Sequence, residues 1–199
     1  MYLLLETIKL ENGRLNNISY HNQRLNAARA FIFGENHPIR IEKKIIIPPQ
    51  FRQGTYRCRI TCSRIIENTE FFPLQQRKFK CLKIIYDDQI NYPYKFADRS
   101  HLNNLYEQKG NADEIIIIKN GLVTDCSIAN LVLYDGTEWY TPDIPLLKGT
   151  QRQLLLDHHL IREKRIRESD LIQYQKIGLI NAFFDLSNLP EIKIENIFH

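Results

Sequence analysis

The sequence predicts an α+β fold, and three observations predict it. Strands come in runs with tight turns between them, above all from "DEIIIIK" to "EWYTP". Only a few stretches read as helix. No regular strand–helix–strand alternation runs along the chain, so a doubly wound parallel sheet is not expected. With 199 residues, 43% hydrophobic and 25% charged, the chain is long enough for one large or two small domains with a real core.

The elements follow in order. "YLLLETIKL" and "RLNNI" flank Asn12-Gly13, a dipeptide that tolerates the positive φ of a two-residue hairpin turn. Ser19 suits an N-cap, and "YHNQRLNAARAFIFG" is helical in character up to Gly34, with Leu25, Ala28 and Phe31 or Ile32 on its buried face. Residues 35–50 form a connection punctuated by proline. "TYRCRITCSRI" alternates as a half-buried strand does, and "KFKCLKIIY" does so in part. "YDDQINYPY" is rich in turn formers. "DRSHLNNLYEQKG" reads as a polar helix stopped by Gly110. "DEIIIIK", "LVTDCSI", "NLVLYD" and "EWYTP" read as strands, "GTQRQLLLDHHLI" as an amphipathic helix, and "KIGLINAFFDLSN" and "EIKIENI" as closing strands.

The net charge is +4, and basic residues are interleaved with acids. That gives no stripe for nucleic acid. Four cysteines lack metal-ligand spacing and read as reduced thiols of a cytoplasmic protein. The opening "MYLLLETIKL" is too short and too soon charged for a signal peptide or a membrane span.

Four features stand out as site candidates. Lys95 in "YPYKFADR" sits among aromatics just before a helix, where partial desolvation would make an amine nucleophilic. Asp125 interrupts apolar strands in "TDCSIAN". "LLKGTQR" puts a glycine and a hydroxyl before a helix, an arrangement able to hold phosphate. Arg24 lies inside the first helix. Each also has a plain reading: a solvated lysine, a turn acid, a simple helix cap, an exposed arginine.

Together, in order and spacing, they resemble the class IV family of pyridoxal-phosphate (PLP) enzymes, which includes branched-chain and D-amino-acid aminotransferases and 4-amino-4-deoxychorismate lyase. "ETIKLENGRLNNISYHNQRL" resembles the family's N-terminal hairpin and "HxxRL" helix. "YKFADR" through "LLKGTQRQLL" resembles its long signature of a lysine, "A-D-E", "G-x-V-T-E", a small-residue segment before Asn, "TP" and "L-x-G-x-x-R".

The resemblance implies the two-domain fold of D-amino-acid aminotransferases, truncated at the N-terminus. A small α+β domain would span residues 1–78. A larger one would span 79–199 and carry the cofactor lysine. It implies that Lys95 links to the aldehyde of PLP and moves protons, and that Asp125 pairs with the ring nitrogen. Arg24 would bind the phosphate bidentately, helped by the backbone of Thr150 and Gln151. Leu147 would pack on the ring, Asn181 would approach the phosphate, and Arg99 would meet the substrate. Asp125 stands where the family normally has Glu, Asp98 where lyase-like members have Asn, and the middle region is shorter. Arg99 and "INA" (180–182) look more like the lyase than the branched-chain transaminases.

The implied function is therefore PLP-dependent 4-amino-4-deoxychorismate lysis to 4-aminobenzoate and pyruvate, a step toward folate. The alternatives are a small class IV aminotransferase acting on a branched-chain or D-amino acid, and a PLP-binding protein without activity. A homodimer is implied, with a small-molecule substrate and neither nucleic acid nor membrane as a partner.

Overall fold

The computed structural model describes residues 2–75 and 77–199. The chain divides into two compact units, Met1–Gln76 with Tyr94–Asp98 and Arg77–Pro93 with Arg99–His199.

The first unit is a four-stranded antiparallel sheet in the order β2-β1-β3-β4, built from β1 (Leu4–Glu11), β2 (Arg14–Leu15), β3 (Thr55–Cys62) and β4 (Ile66–Pro73). The Asn-Gly turn forms as its chemistry requires, with φ of 48° at Asn12 and 77° at Gly13. Helix α1 (Ile18–Phe33) lays Leu25 and Ala28 onto a core that includes Leu4, Ile8, Leu10, Cys58 and Ile60. Ile32 packs partly against it, whereas Phe31 is exposed.

The N-cap is Asn17, in the left-handed region, and not Ser19. The helix begins two residues earlier than the serine reading assumes, and Asn is one of the few non-glycine residues that accept φ near 50°. Gly34 ends the helix as expected, at φ 68°, with its N–H on the Ala30 carbonyl. Strand β4, "IENTEFFP", has little alternation and is legible only through its pairing with β3. Buried Arg29 ties α1 down: Nε donates to the Arg64 carbonyl and Nη1 to the His37 carbonyl.

One departure from expectation bears on the site. The segment carrying Lys95 belongs to the first unit, not to the larger second one. Its backbone joins β1: Leu5 N–H donates to the Lys95 carbonyl at 2.8 Å and Ala97 N–H to the Leu3 carbonyl at 2.8 Å. Flanking aromatics strengthen the attachment, with Tyr94 on Phe31 and Phe96 on Tyr2.

The second unit holds two sheets. Strands β5 (Leu82–Tyr86), β6 (Glu114–Lys119), β7 (Leu122–Val123) and β13 (Ile197–Phe198) form one, in the order β13-β5-β6-β7. Strands β8 (Asn130–Tyr134), β9 (Trp139–Pro142), β10 (Arg162–Lys164), β11 (Lys176–Ile180) and β12 (Glu191–Lys193) form the other, in the order β10-β9-β8-β11-β12. Helix α2 (Ser100–Tyr106) follows Arg99, and α3 (Thr150–Asp157) follows Gly149.

The run of four isoleucines in β6 is buried throughout, as befits a strand covered on both faces. "LVTDCSI" is strand only at Leu122–Val123. Beyond Thr124 the chain leaves one sheet and enters the other, and this crossing is why small polar residues interrupt two good strands.

Gly178 lies in β11, an interior strand between β8 and β12. A Cβ there would overlap the Leu189 side chain and stand 2.9 Å from Val132 Cγ2. Gly178→Ala should lower unfolding stability by about 1–3 kcal/mol, as overpacking does, and this would appear as a lower urea midpoint. Combined with Leu189→Val, the two costs should sum to less than their separate values.

Candidate active site

In the first unit, a charged cluster sits between β1 and α1. Glu6 is 1% exposed. Its Oε2 accepts from Arg24 Nη2 at 2.6 Å and lies 2.6 Å from His21 Nδ1, while Oε1 accepts from Arg24 Nε at 2.9 Å. Burial alone would push the Glu6 carboxyl up, but the charges and hydrogen bonds of Arg24 and His21 outweigh it and bring the pKa to about 2. His21 is pushed down by burial against the pull of Glu6, with the Arg24 and Lys95 charges adding to the lowering. With Glu6 ionised, Nδ1 carries the proton of the shared hydrogen bond. Lys95 and Arg24 thus both act electrostatically on one imidazole.

In the second unit, the segment 125–130 is a point of convergence. It is a tight turn closed by Cys126 N–H on the Ala129 carbonyl and flanked by an Asp125–Asn130 bridge. Asn130 Nδ2 donates to Asp125 Oδ1 at 2.7 Å and to the Leu147 carbonyl at 2.8 Å. Leu147 N–H donates to Asp125 Oδ2 at 2.9 Å. Arg99 Nη2 donates to the Ser127 carbonyl at 2.6 Å, and Asn181 Nδ2 to the Ile128 carbonyl at 3.4 Å. Beneath the turn, buried Glu114 accepts from Ser127 Oγ at 2.9 Å and from the Ile115 N–H. Burial pushes the Glu114 carboxyl up.

Gly149 precedes α3 and cannot carry a Cβ, which would overlap Asn130 Oδ1. Thr150 and Gln151 are buried at the start of that helix, and Gly149 supplies it no side-chain cap.

Two of the buried carboxylates, Glu6 and Asp125, contrast. Glu6 has the Arg24 guanidinium at hydrogen-bond distance. Asp125 has amide donors and a more distant Arg152, so burial prevails and its pKa rises to about 6. Among the described residues, no cation stands at hydrogen-bond distance from this acid.

The structure adds detail to two expectations. The side edge of Arg24, Nε with Nη2, faces Glu6; for a phosphate only the end edge, Nη1 with the second Nη2 hydrogen, remains. Leu147 holds Asp125 through its backbone, a role additional to any ring contact. Sequence reading overlooked Glu6, His21, Glu114 and Asn130 as site residues. The signal for Glu6 was available: it stands at a core position in the alternation Leu4, Glu6, Ile8, Leu10.

Residues 95–192 match the model of the family "Amino-transferase class IV". An uncharacterized protein of Haemophilus influenzae is 39% identical over 184 residues, 92% of this chain and 98% of its own. The crystal structure of "a putative 4-amino-4-deoxychorismate lyase" from Haemophilus somnus is 41% identical with a TM-score of 0.87, covering 94% of this chain and 98% of that one. The chain belongs to the class IV aminotransferase family. The PLP-bound form of a hypothetical aminotransferase from Mycobacterium tuberculosis shares the fold, with a TM-score of 0.75 at 16% identity and coverage of 96% and 80%.

Class IV aminotransferases depend on PLP, and the donor chemistry here fits that group. An amine at Lys95 suits an aldehyde. The end edge of Arg24 suits a phosphate. Asp125, buried without an adjacent cation, suits a protonated ring nitrogen.

Asn130→Ala would strip a donor from both Asp125 and the Leu147 carbonyl. The expected cost is about 1–3 kcal/mol of stability. Since the Asn130 bond favours the ionised acid, the loss should be larger at pH 8, above the Asp125 pKa of about 6, than at pH 5. Urea unfolding at the two pH values checks this.

Proposed function

We propose that this chain is a PLP-dependent 4-amino-4-deoxychorismate lyase, releasing 4-aminobenzoate and pyruvate. The observation that carries the proposal is the 41% identity to the Haemophilus somnus protein over 94% of this chain. A homodimer belongs to the same proposal.

When bound, PLP supplies an electron-withdrawing ring that acidifies the substrate carbon bearing the amine. Lys95 is assigned covalent attachment of the cofactor and then, as a free amine, removal of that carbon's proton. Loss of the enolpyruvyl group as pyruvate leaves an aromatic ring, which drives the step forward. Asp125 is assigned the ring nitrogen, where a carboxylate keeps the proton in place. Arg24 is assigned the phosphate, with the Thr150 and Gln151 backbone and Asn181 beside it, and Leu147 the ring face. Arg99 is assigned a substrate carboxylate. It keeps its Nε and Nη1 donors, because its described bond uses only Nη2.

The class IV membership itself favours a second reading, transamination of a branched-chain or D-amino acid. In that case Lys95 would return the proton to the cofactor rather than expel pyruvate.

The two readings separate in one assay. PLP-loaded protein given 4-amino-4-deoxychorismate should yield equimolar 4-aminobenzoate, by fluorescence, and pyruvate, by coupled reduction. Amino-group transfer to 2-oxoglutarate with no 4-aminobenzoate would overturn the lyase reading. Borohydride should trap PLP on the peptide containing Lys95, and Lys95→Ala should abolish both trapping and turnover.

The role of Asp125 predicts a pH dependence. Its raised pKa means that the ionised form is penalised in the cofactor-free protein above pH about 6, and a neighbouring cation removes that penalty. PLP affinity of wild type relative to Asp125→Asn should therefore grow as pH rises from 5 to 8, by equilibrium dialysis. Parallel curves would mean that Asp125 does not face the ring nitrogen.

A further inference from the structure

Along β1 the residues facing α1 are Leu4, Glu6, Ile8 and Leu10, and all four are buried to 2% exposure or less. An ionised carboxylate in this stripe is costly, because removing ions from water carries a penalty that a leucine would not incur. Local sequence–structure conflicts of this kind gather at functional sites.

What Glu6 does with its charge is specific. Both oxygens engage the side edge of Arg24, through Nε at 2.9 Å and Nη2 at 2.6 Å. His21, one turn earlier on α1, clamps the same carboxylate at 2.6 Å. A guanidinium is a rigid plane with five donors, so fixing one edge fixes the direction of the others. The end edge, Nη1 with the second Nη2 hydrogen, is what Glu6 leaves over. Nη1 makes no hydrogen bond among the described residues, and the Arg24 side chain keeps 15% exposure.

We propose that Glu6 is a positioning residue: by holding the side edge of Arg24, it aims the end edge as a two-donor fork for the cofactor phosphate. The proposal rests on the assignment of Arg24 to that phosphate.

Charge and geometry make opposite demands here, which gives the test its discrimination. Glu6 offsets the positive charge of Arg24. If charge alone mattered, Glu6→Gln would tighten binding of a phosphate. If aim matters, the same substitution weakens it, because one amide end of Gln presents a donor to donors.

The experiment compares PLP with pyridoxal, which lacks the phosphate, on cofactor-free wild type, Glu6→Gln, Arg24→Ala and the double variant. Dissociation constants come from equilibrium dialysis, and circular dichroism melts monitor folding. The preference for PLP over pyridoxal should fall about tenfold or more in Arg24→Ala, as loss of a charge-assisted bond predicts. It should fall several-fold in Glu6→Gln, with pyridoxal affinity little changed, and the double variant should be no worse than Arg24→Ala.

If Glu6→Gln does not fold, Glu6→Asp carries the test. It keeps the charge but is one methylene shorter, so it should lose the preference as well. An unchanged or increased preference in the Glu6 variant, beside a loss in Arg24→Ala, would overturn the positioning role while leaving the phosphate assignment intact. An unchanged preference in Arg24→Ala would overturn the assignment and the proposal with it.

Discussion

The second unit is organised around one buried acid that, among the described residues, has only amide donors within hydrogen-bond reach. Asp125 takes its hydrogen bonds from Asn130 and the Leu147 backbone. These bonds link the crossing between two sheets to the loop before α3. Asn130 completes the link through the Leu147 carbonyl, and Gly149 must stay without a Cβ so that Asn130 has room. Cys126, Ser127 and Ala129, all small, form the turn beside the acid with Ile128, and burial there raises the Asp125 pKa to about 6.

Glu6 solves the opposite problem. It is as buried as Asp125, yet its pKa falls to about 2 because Arg24 and His21 lie against it. Two carboxylates in similarly dry settings thus differ by whether a cation is at hand. The difference follows from the large cost of an uncompensated charge in a low-dielectric interior. It sets distinct tasks: one acid orients a cation the protein already owns, and the other is suited to a cation brought from outside.

Much of the fold was legible in the residues. Asn12-Gly13 made a hairpin because both positions tolerate positive φ. Gly34 stopped α1, and "EIIIIK" became a strand buried on both faces. Strand β4 and the Asn17 cap were not legible. The first depends on the partner strand β3, and the second on where the hairpin hands over to the helix. The candidate residues Lys95, Asp125, Arg24 and Arg99 could be named from motif order, and Glu6 stands out in the alternation of β1; what His21, Glu114 and Asn130 do lies in contacts with other segments, which motif order does not give.

The sequence by itself determined the α+β class, the turns, most helix and strand locations and membership of a family with a lysine and a carboxylate in set order. These are local or ordered properties, written in periodicity, in the φ tolerance of Asn and Gly, and in spacing. Only the tertiary structure decided that the Lys95 segment pairs with β1, that Arg24 gives one edge to Glu6, and that Asp125 is left without an adjacent cation. Each of these depends on which polar groups meet when water is removed, and burial and hydrogen-bond partners exist only once distant segments have packed.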